Sequence, residues 1–110
     1  MIIFTLGDDE MSDRILSFED IKCIVKPLAE KYHISEVYIF GSYARNEATI
    51  TSDIDFLVFG GKEFKLTSIF AFAEELRIAI HKEIDVFEIN EVNKNSSFYE
   101  TIMKEKVKVA

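Results

Sequence analysis

The stretch GSYARNEATITSDID at residues 41–55 decides the fold of this 110-residue chain. It follows the run EVYIF at 36–40 and leads into a second run, IDFLVF at 54–59. Branched and aromatic side chains favour strands, so we predict strands over 36–41 and 53–59. We expect a short helix to begin over 42–45, between the two strands.

Helix and strand patterns alternate on either side of this stretch. Ser17 and Asp20 form a capping-box pattern at the start of a helix that Pro27 should kink or restart. Further elements are predicted in the order helix 67–81, strand 83–90, helix 97–104 and edge strand 106–110. This order predicts the α/β class, with a small mixed β-sheet flanked by helices, which we place on one side.

Composition narrows the function classes. Hydrophobic residues make up 48% of the chain, enough for a core, while the net charge of −7 disfavours binding to nucleic acid or to anionic membranes. One cysteine excludes an internal disulfide, two histidines disfavour a His-rich metal site, and no run approaches the roughly 20 apolar residues of a membrane helix. We expect a cytoplasmic protein with one domain over 17–110 and an extension over 1–16, where translation could also begin at Met11.

Paired acids point to a cation site. Side chains alternate along a strand, so Asp53 and Asp55 share one face, where their repulsion and desolvation are costly. A divalent cation between them relieves both costs, and oxygen ligands suit Mg²⁺. If the strand of Asp85 lies beside them, three carboxylates could hold two metal ions for phosphoryl transfer. Asp85 could also orient or deprotonate a hydroxyl nucleophile.

Gly41 and Ser42 are candidates for binding phosphate. A glycine after a strand allows a ligand close to the backbone, and a helix beginning there would offer free N–H groups. The Ser42 hydroxyl adds a donor, while Arg45 could contact phosphate or pair with a site acid. A Gly-Ser pair is usually only a turn, and Asp-x-Asp alone is usually a solvated strand edge. Their conjunction, with an isolated Asp on the next strand, is far more specific.

The segment 41–58 resembles the DNA-polymerase-β-like nucleotidyltransferase superfamily, and most of all its minimal nucleotidyltransferases (MNT). Their motif is Gly-Ser, ten residues and Asp-x-Asp. The resemblance implies the polymerase-β-like fold, ATP as nucleotide donor and two Mg²⁺ ions. By motif position, Gly41 and Ser42 would bind triphosphate, Asp53 and Asp55 would bind metal, and Asp85 would be the third carboxylate. Asn46 departs from the usual glycine, but asparagine tolerates a left-handed backbone.

The acceptor of the nucleotide is not visible in the sequence. A homodimer interface could hold it, or a partner protein could present it. Similar stand-alone MNT proteins are typically antitoxins paired with a HEPN-family toxin, onto whose tyrosine they transfer AMP (AMPylation). Two alternatives stay open, namely transfer to a small molecule and an antitoxin that masks its partner without catalysis.

Overall fold

The computed structural model describes residues 15–110, which form three α-helices, one short 3₁₀ helix and a four-stranded sheet. In chain order these elements are α1 (Phe18–Lys31), β1 (Ile34–Phe40), β2 (Ile54–Gly60), α2 (Ser68–Ile80), β3 (Ile84–Glu88), the 3₁₀ helix (Ile89–Glu91), α3 (Ser97–Glu105) and β4 (Val107–Lys108). The candidate start at Met11, and the extension except for Ile15 and Leu16, lie outside the described residues. No helix within 15–110 is long and apolar enough to cross a membrane.

The strands lie in the order β3-β2-β1-β4. β1 runs antiparallel to both β2 and β4, whereas β2 and β3 are parallel. This confirms the predicted small mixed sheet. It also meets the condition set for Asp85, because β3 is the direct neighbour of β2.

Apolar side chains cover both faces of the sheet. On one face, Val37, Ile39 and Phe56 belong to the main core, which α1 and α2 complete. On the opposite face, Phe40 and Leu57 pack with α3 in a second cluster. The prediction that the helices lie on one side is therefore wrong. Because the central strands are apolar on both faces, each face needs its own cover.

The start of α1 follows the predicted capping box. The backbone N–H of Asp20 donates to the Ser17 hydroxyl over 3.0 Å, and the Asp20 side chain accepts from the Ser17 backbone in return. α1 continues through Pro27 as one helix, so the predicted restart does not occur. Leu16, just before the cap, is buried in the main core and ties the start of α1 to the sheet.

Candidate active site

A single tight turn over residues 41–46 connects β1 to the loop before β2, where a short helix was predicted. Three backbone hydrogen bonds close it. The Arg45 N–H donates to the Gly41 carbonyl over 3.0 Å, the Asn46 N–H to the Tyr43 carbonyl over 3.2 Å, and the Glu47 N–H to the Ser42 carbonyl over 2.8 Å. Gly41 and Asn46 both have positive φ, at 78° and 61°. A left-handed residue at each end stops helical propagation. The helix prediction is wrong, while Asn46 does adopt the left-handed backbone expected of it.

Gly41 lies against Asp55. A Cβ built on Gly41 would overlap the Asp55 Oδ2 atom and would lie 3.5 Å from Cγ of the same carboxylate. The register of β1 and β2 explains the contact, since Phe40 pairs with Asp55 directly before the turn. Gly41 and the Asp55 carboxylate are therefore in direct contact. Ser42 follows in the same turn and is half-buried.

The parallel pairing of β2 and β3 places Asp55 directly opposite Asp85. Paired residues on neighbouring strands lie on the same face, about 5 Å apart at their Cα atoms. Asp53 comes two residues before Asp55, just ahead of β2. Asp53 and Asp85 are exposed, whereas Asp55 is half-buried. The structure thus gathers all three predicted acids at one end of the sheet, on the α3 side.

The position of Asp55 is electrostatically unfavourable for an anion. Burial, followed by the negative charges of Asp85 and Asp53, raises its pKa from 3.8 to about 6. The Arg45 guanidinium lowers the pKa of Asp55, but it does not cancel these effects. An ionised Asp55 is therefore costly in the protein alone, and a cation beside it would remove that cost.

Replacing Asp55 with asparagine should stabilise the metal-free protein. Because the folded pKa is raised, the stability due to protonated Asp55 is complete below pH 3.8 and is lost as the pH rises through about 6. At pH 7.5 we expect Asp55→Asn to raise the free energy of unfolding by about 1–2 kcal/mol, after allowance for solvent screening. Urea unfolding in EDTA measures this gain, which should shrink as the pH falls from 6 to 4.

The control for this gain is Glu83→Gln, which removes the same charge from an exposed residue just before β3. A surface change of this kind should alter stability by no more than about 0.5 kcal/mol. If Asp55→Asn were no more stable than Glu83→Gln at pH 7.5, the electrostatic cost assigned to Asp55 would be wrong.

The carboxylates of Asp53, Asp55 and Asp85 are suitable ligands for a hard divalent cation. All are carboxylate oxygens, which Mg²⁺ prefers, and the raised pKa of Asp55 marks an acid without enough positive charge around it. Within residues 15–110, no three acid, histidine or cysteine side chains converge closely enough to enclose an ion by themselves. That arrangement suits Mg²⁺ in its usual mode, with one or two protein carboxylates and the remaining positions left to water and substrate phosphate.

Arg45 contacts acids outside the aspartate trio. Its Nε donates to Glu47 over 2.9 Å, and its Nη1 lies 3.2 Å from Oε1 of Glu105. The same Glu105 oxygen accepts the Gly41 backbone N–H over 2.8 Å. Neither Glu47 nor Glu105 is one of the predicted site acids, so contact of Arg45 with phosphate or with a site acid stays a prediction.

Glu105 is the residue that the sequence analysis missed. The run of charges over 104–108 is typical of a solvated tail, yet the Glu105 side chain is only 19% exposed. A signal was present, because Phe98, Ile102 and Glu105 are spaced four and three residues apart and share one face of α3. That face packs on the sheet through Ile102, which is buried, so the spacing places Glu105 on the sheet-facing side of α3.

The comparison with protein families adds the decisive observation. Residues 22–110 match the family described as polymerase beta, nucleotidyltransferase. The chain belongs to this nucleotidyltransferase family. The match includes the turn, all three aspartates and Glu105, so the geometry described above lies inside a nucleotidyltransferase domain.

Two relatives support the family assignment. A provisionally named protein adenylyltransferase of Methanocaldococcus jannaschii is 37% identical over 78 residues, which cover 71% of this chain and 84% of the relative. Protein adenylyltransferase MntA of Thermococcus cleftensis is 29% identical over 99 residues, covering 86% and 98%. The alignments therefore span most of each relative, and the enzyme class is nucleotidyltransferase.

Solved structures show the same fold. A provisionally identified minimal nucleotidyltransferase has a TM-score of 0.69 at 22% identity, covering 84% of this chain and 95% of its own. A chain of a toxin–antitoxin crystal structure with AMP-PNP has a TM-score of 0.68 at 16% identity, covering 81% and 72%. A chain from the complex of tri-AMPylated Shewanella oneidensis HEPN toxin with MNT antitoxin gives 0.63 at 15%, covering 84% and 71%. These likenesses confirm the polymerase-β-like fold predicted from the motif.

Proposed function

We propose that this protein transfers AMP from ATP, with Mg²⁺, to a tyrosine hydroxyl of a partner HEPN toxin and thereby acts as its antitoxin. The observation that carries the proposal is the pairing of Asp55 with Asp85 on parallel strands, beside the glycine turn that touches Asp55. The names of the relatives and of the toxin–antitoxin structures support the acceptor and the biological role.

Each proposed site residue has a role that follows from its position. The Gly41 N–H, the Ser42 hydroxyl and Arg45 would bind the triphosphate, and Asp53 and Asp55 would hold Mg²⁺. Bound Mg²⁺ would neutralise charge on the attacking and leaving oxygens. Asp85, as the third carboxylate, would complete the acid cluster. Because Asp55 is the half-buried member, it fixes the depth of the site, while the two exposed acids face the substrates.

The transfer step is an in-line displacement at the α-phosphorus of ATP. The tyrosine oxygen attacks the α-phosphorus and forms a new O–P bond. The bond from the α-phosphorus to the oxygen that bridges the α- and β-phosphates breaks, which releases pyrophosphate. Asp85 accepts the phenolic proton, directly or through one water molecule. Its carboxylate is exposed on edge strand β3, so a protein acceptor reaches it without any opening of the fold.

Incubation with ATP, Mg²⁺ and the product of the neighbouring gene tests the proposal. Parallel reactions use ATP labelled at the α- or the γ-phosphate. We expect label on the partner only with α-labelled ATP, loss of the label without Mg²⁺, and AMP on a tyrosine by tandem mass spectrometry. Label from γ-labelled ATP would indicate a kinase. No label despite a tight complex would favour a masking antitoxin or a small-molecule acceptor.

A further inference from the structure

Glu105 occupies an anion position in the candidate site. Its carboxylate accepts the Gly41 backbone N–H over 2.8 Å, and both of its oxygens lie within 3.3 Å of the Arg45 Nη1 atom. These are two of the three groups assigned above to the triphosphate. A backbone N–H together with a guanidinium is a typical phosphate-binding pair. In this structure that pair is satisfied by a side chain of the protein itself.

The placement of Glu105 is costly for a purely structural residue. It ends α3, where the helix dipole disfavours negative charge. Its charge also raises the pKa of Asp55, so it adds to the repulsion within the acid cluster. With 19% of the side chain exposed, water solvates it only partly. The Gly41 and Arg45 contacts are what offset these costs.

Helix α3 fixes the position of the Glu105 backbone beside the turn. Ile102, one turn earlier on the same face of α3, is buried against the second cluster. Phe98, a further turn back, contacts the rings of Phe40 and Phe87. The backbone that carries Glu105 is thus anchored, while the carboxylate itself sits at the end of a side chain that can rotate away.

We propose that Glu105 is an internal phosphate mimic, which holds Gly41 and Arg45 in the free protein and which the triphosphate displaces on binding. The inference rests on the proposed function, because it assigns the same donors to the nucleotide. Glu105 thereby keeps the turn in its binding shape and weakens nucleotide affinity by competing for the donors. Nucleotides with a full triphosphate displace it best, since they bring the most negative charge to the turn.

Calorimetric binding of α,β-methylene-ATP with Mg²⁺ tests the proposal, because transfer cannot cleave this analogue. Removing the competing charge in Glu105→Gln should tighten binding about tenfold, the value of one charge-assisted hydrogen bond. Glu100→Gln is the matched control, an exposed acid on the same helix. It changes the net charge equally and should leave the affinity within about twofold.

The outcomes separate this inference from the proposed function. If the wild type binds the analogue and Glu105→Gln binds it equally or more weakly, the mimic is wrong while the nucleotide site stands. If none of the three proteins binds the analogue, both proposals fail. Amide NMR of the wild type gives a test that needs no variant. The Gly41 resonance should shift on saturation as its acceptor changes from carboxylate to phosphate, and an unmoved resonance would overturn the mimic.

Discussion

Asp55→Asn is expected to lower the rate of the proposed AMP transfer by at least about a thousandfold. Mg²⁺ would lose its proposed half-buried ligand, and metal stabilisation of the transition state is worth several kcal/mol. Asparagine keeps the shape of the side chain and its contact distance to Gly41, so the change removes charge and little else. Initial rates of label transfer from α-labelled ATP at saturating Mg²⁺ measure the effect.

The stability of this variant makes the result unambiguous. Asp55→Asn should be at least as stable as the wild type at pH 7.5, because the pKa of the Asp55 carboxyl is raised in the folded wild-type protein. Lost transfer therefore cannot be attributed to unfolding. Glu83→Gln, exposed just before β3, should retain normal rates. If Asp55→Asn kept more than a tenth of the wild-type rate, the assignment of Asp55 to the metal would be untenable.

The same variant separates catalysis from masking. Asp55→Asn exchanges one carboxylate oxygen for an amide nitrogen at a half-buried position, so partner binding should persist. An antitoxin that works by transfer will fail to protect cells when it carries this change, although it still forms the complex. Full protection by the transfer-deficient variant would show that binding alone neutralises the toxin.

The central strands β1 and β2 were predictable from the types of residue they contain. β1 and β2 combine β-forming residues with clear stops, at Gly41 for the first and at Gly60 for the second. The acid site was predictable for the same reason. Asp-x-Asp alone is usually a solvated strand edge, but a third aspartate on the next predicted strand favoured a common explanation for all three.

The two-sided cover of the sheet was within reach of the sequence but was missed. Leu57 and Phe59 lie on the aspartate face of β2, opposite Phe56 and Val58. A strand that is apolar on both faces requires a layer on each side. The last helix, with its apolar stripe through Ile102, was the element left to supply the second layer.

The details of the turn depended on contacts that no local pattern encodes. Whether residues 42–45 continue as a helix is decided by the left-handed backbone at Asn46 and by the register that brings Asp55 against Gly41. The contact of Glu105 with Gly41 joins residues 64 positions apart. This contact depends on where α3 lies along the sheet, and that position is set by packing in three dimensions.

Gly41→Ala is expected to reduce transfer about a hundredfold, since displacement of a catalytic group by about 1 Å has an effect of that size. A methyl group at this position would overlap Oδ2 of Asp55, so the carboxylate must move or the turn must open. The backbone adds a second penalty. Its φ of 78° costs any residue with a Cβ about 1–2 kcal/mol. Urea unfolding and label-transfer rates, measured on the same preparation, give both effects.

Gly61→Ala provides the matched control, because this glycine also follows a strand and gains the same methyl group. There the nearest atom would be the His33 carbonyl oxygen at 3.4 Å, an ordinary van der Waals contact. Its transfer rate should stay within about twofold of the wild type. The comparison isolates the contact with Asp55 from the general cost of filling a glycine. Equal rates in the two alanine variants would mean that the carboxylate tolerates displacement, and Asp55 would then be too loosely placed to act as a metal ligand.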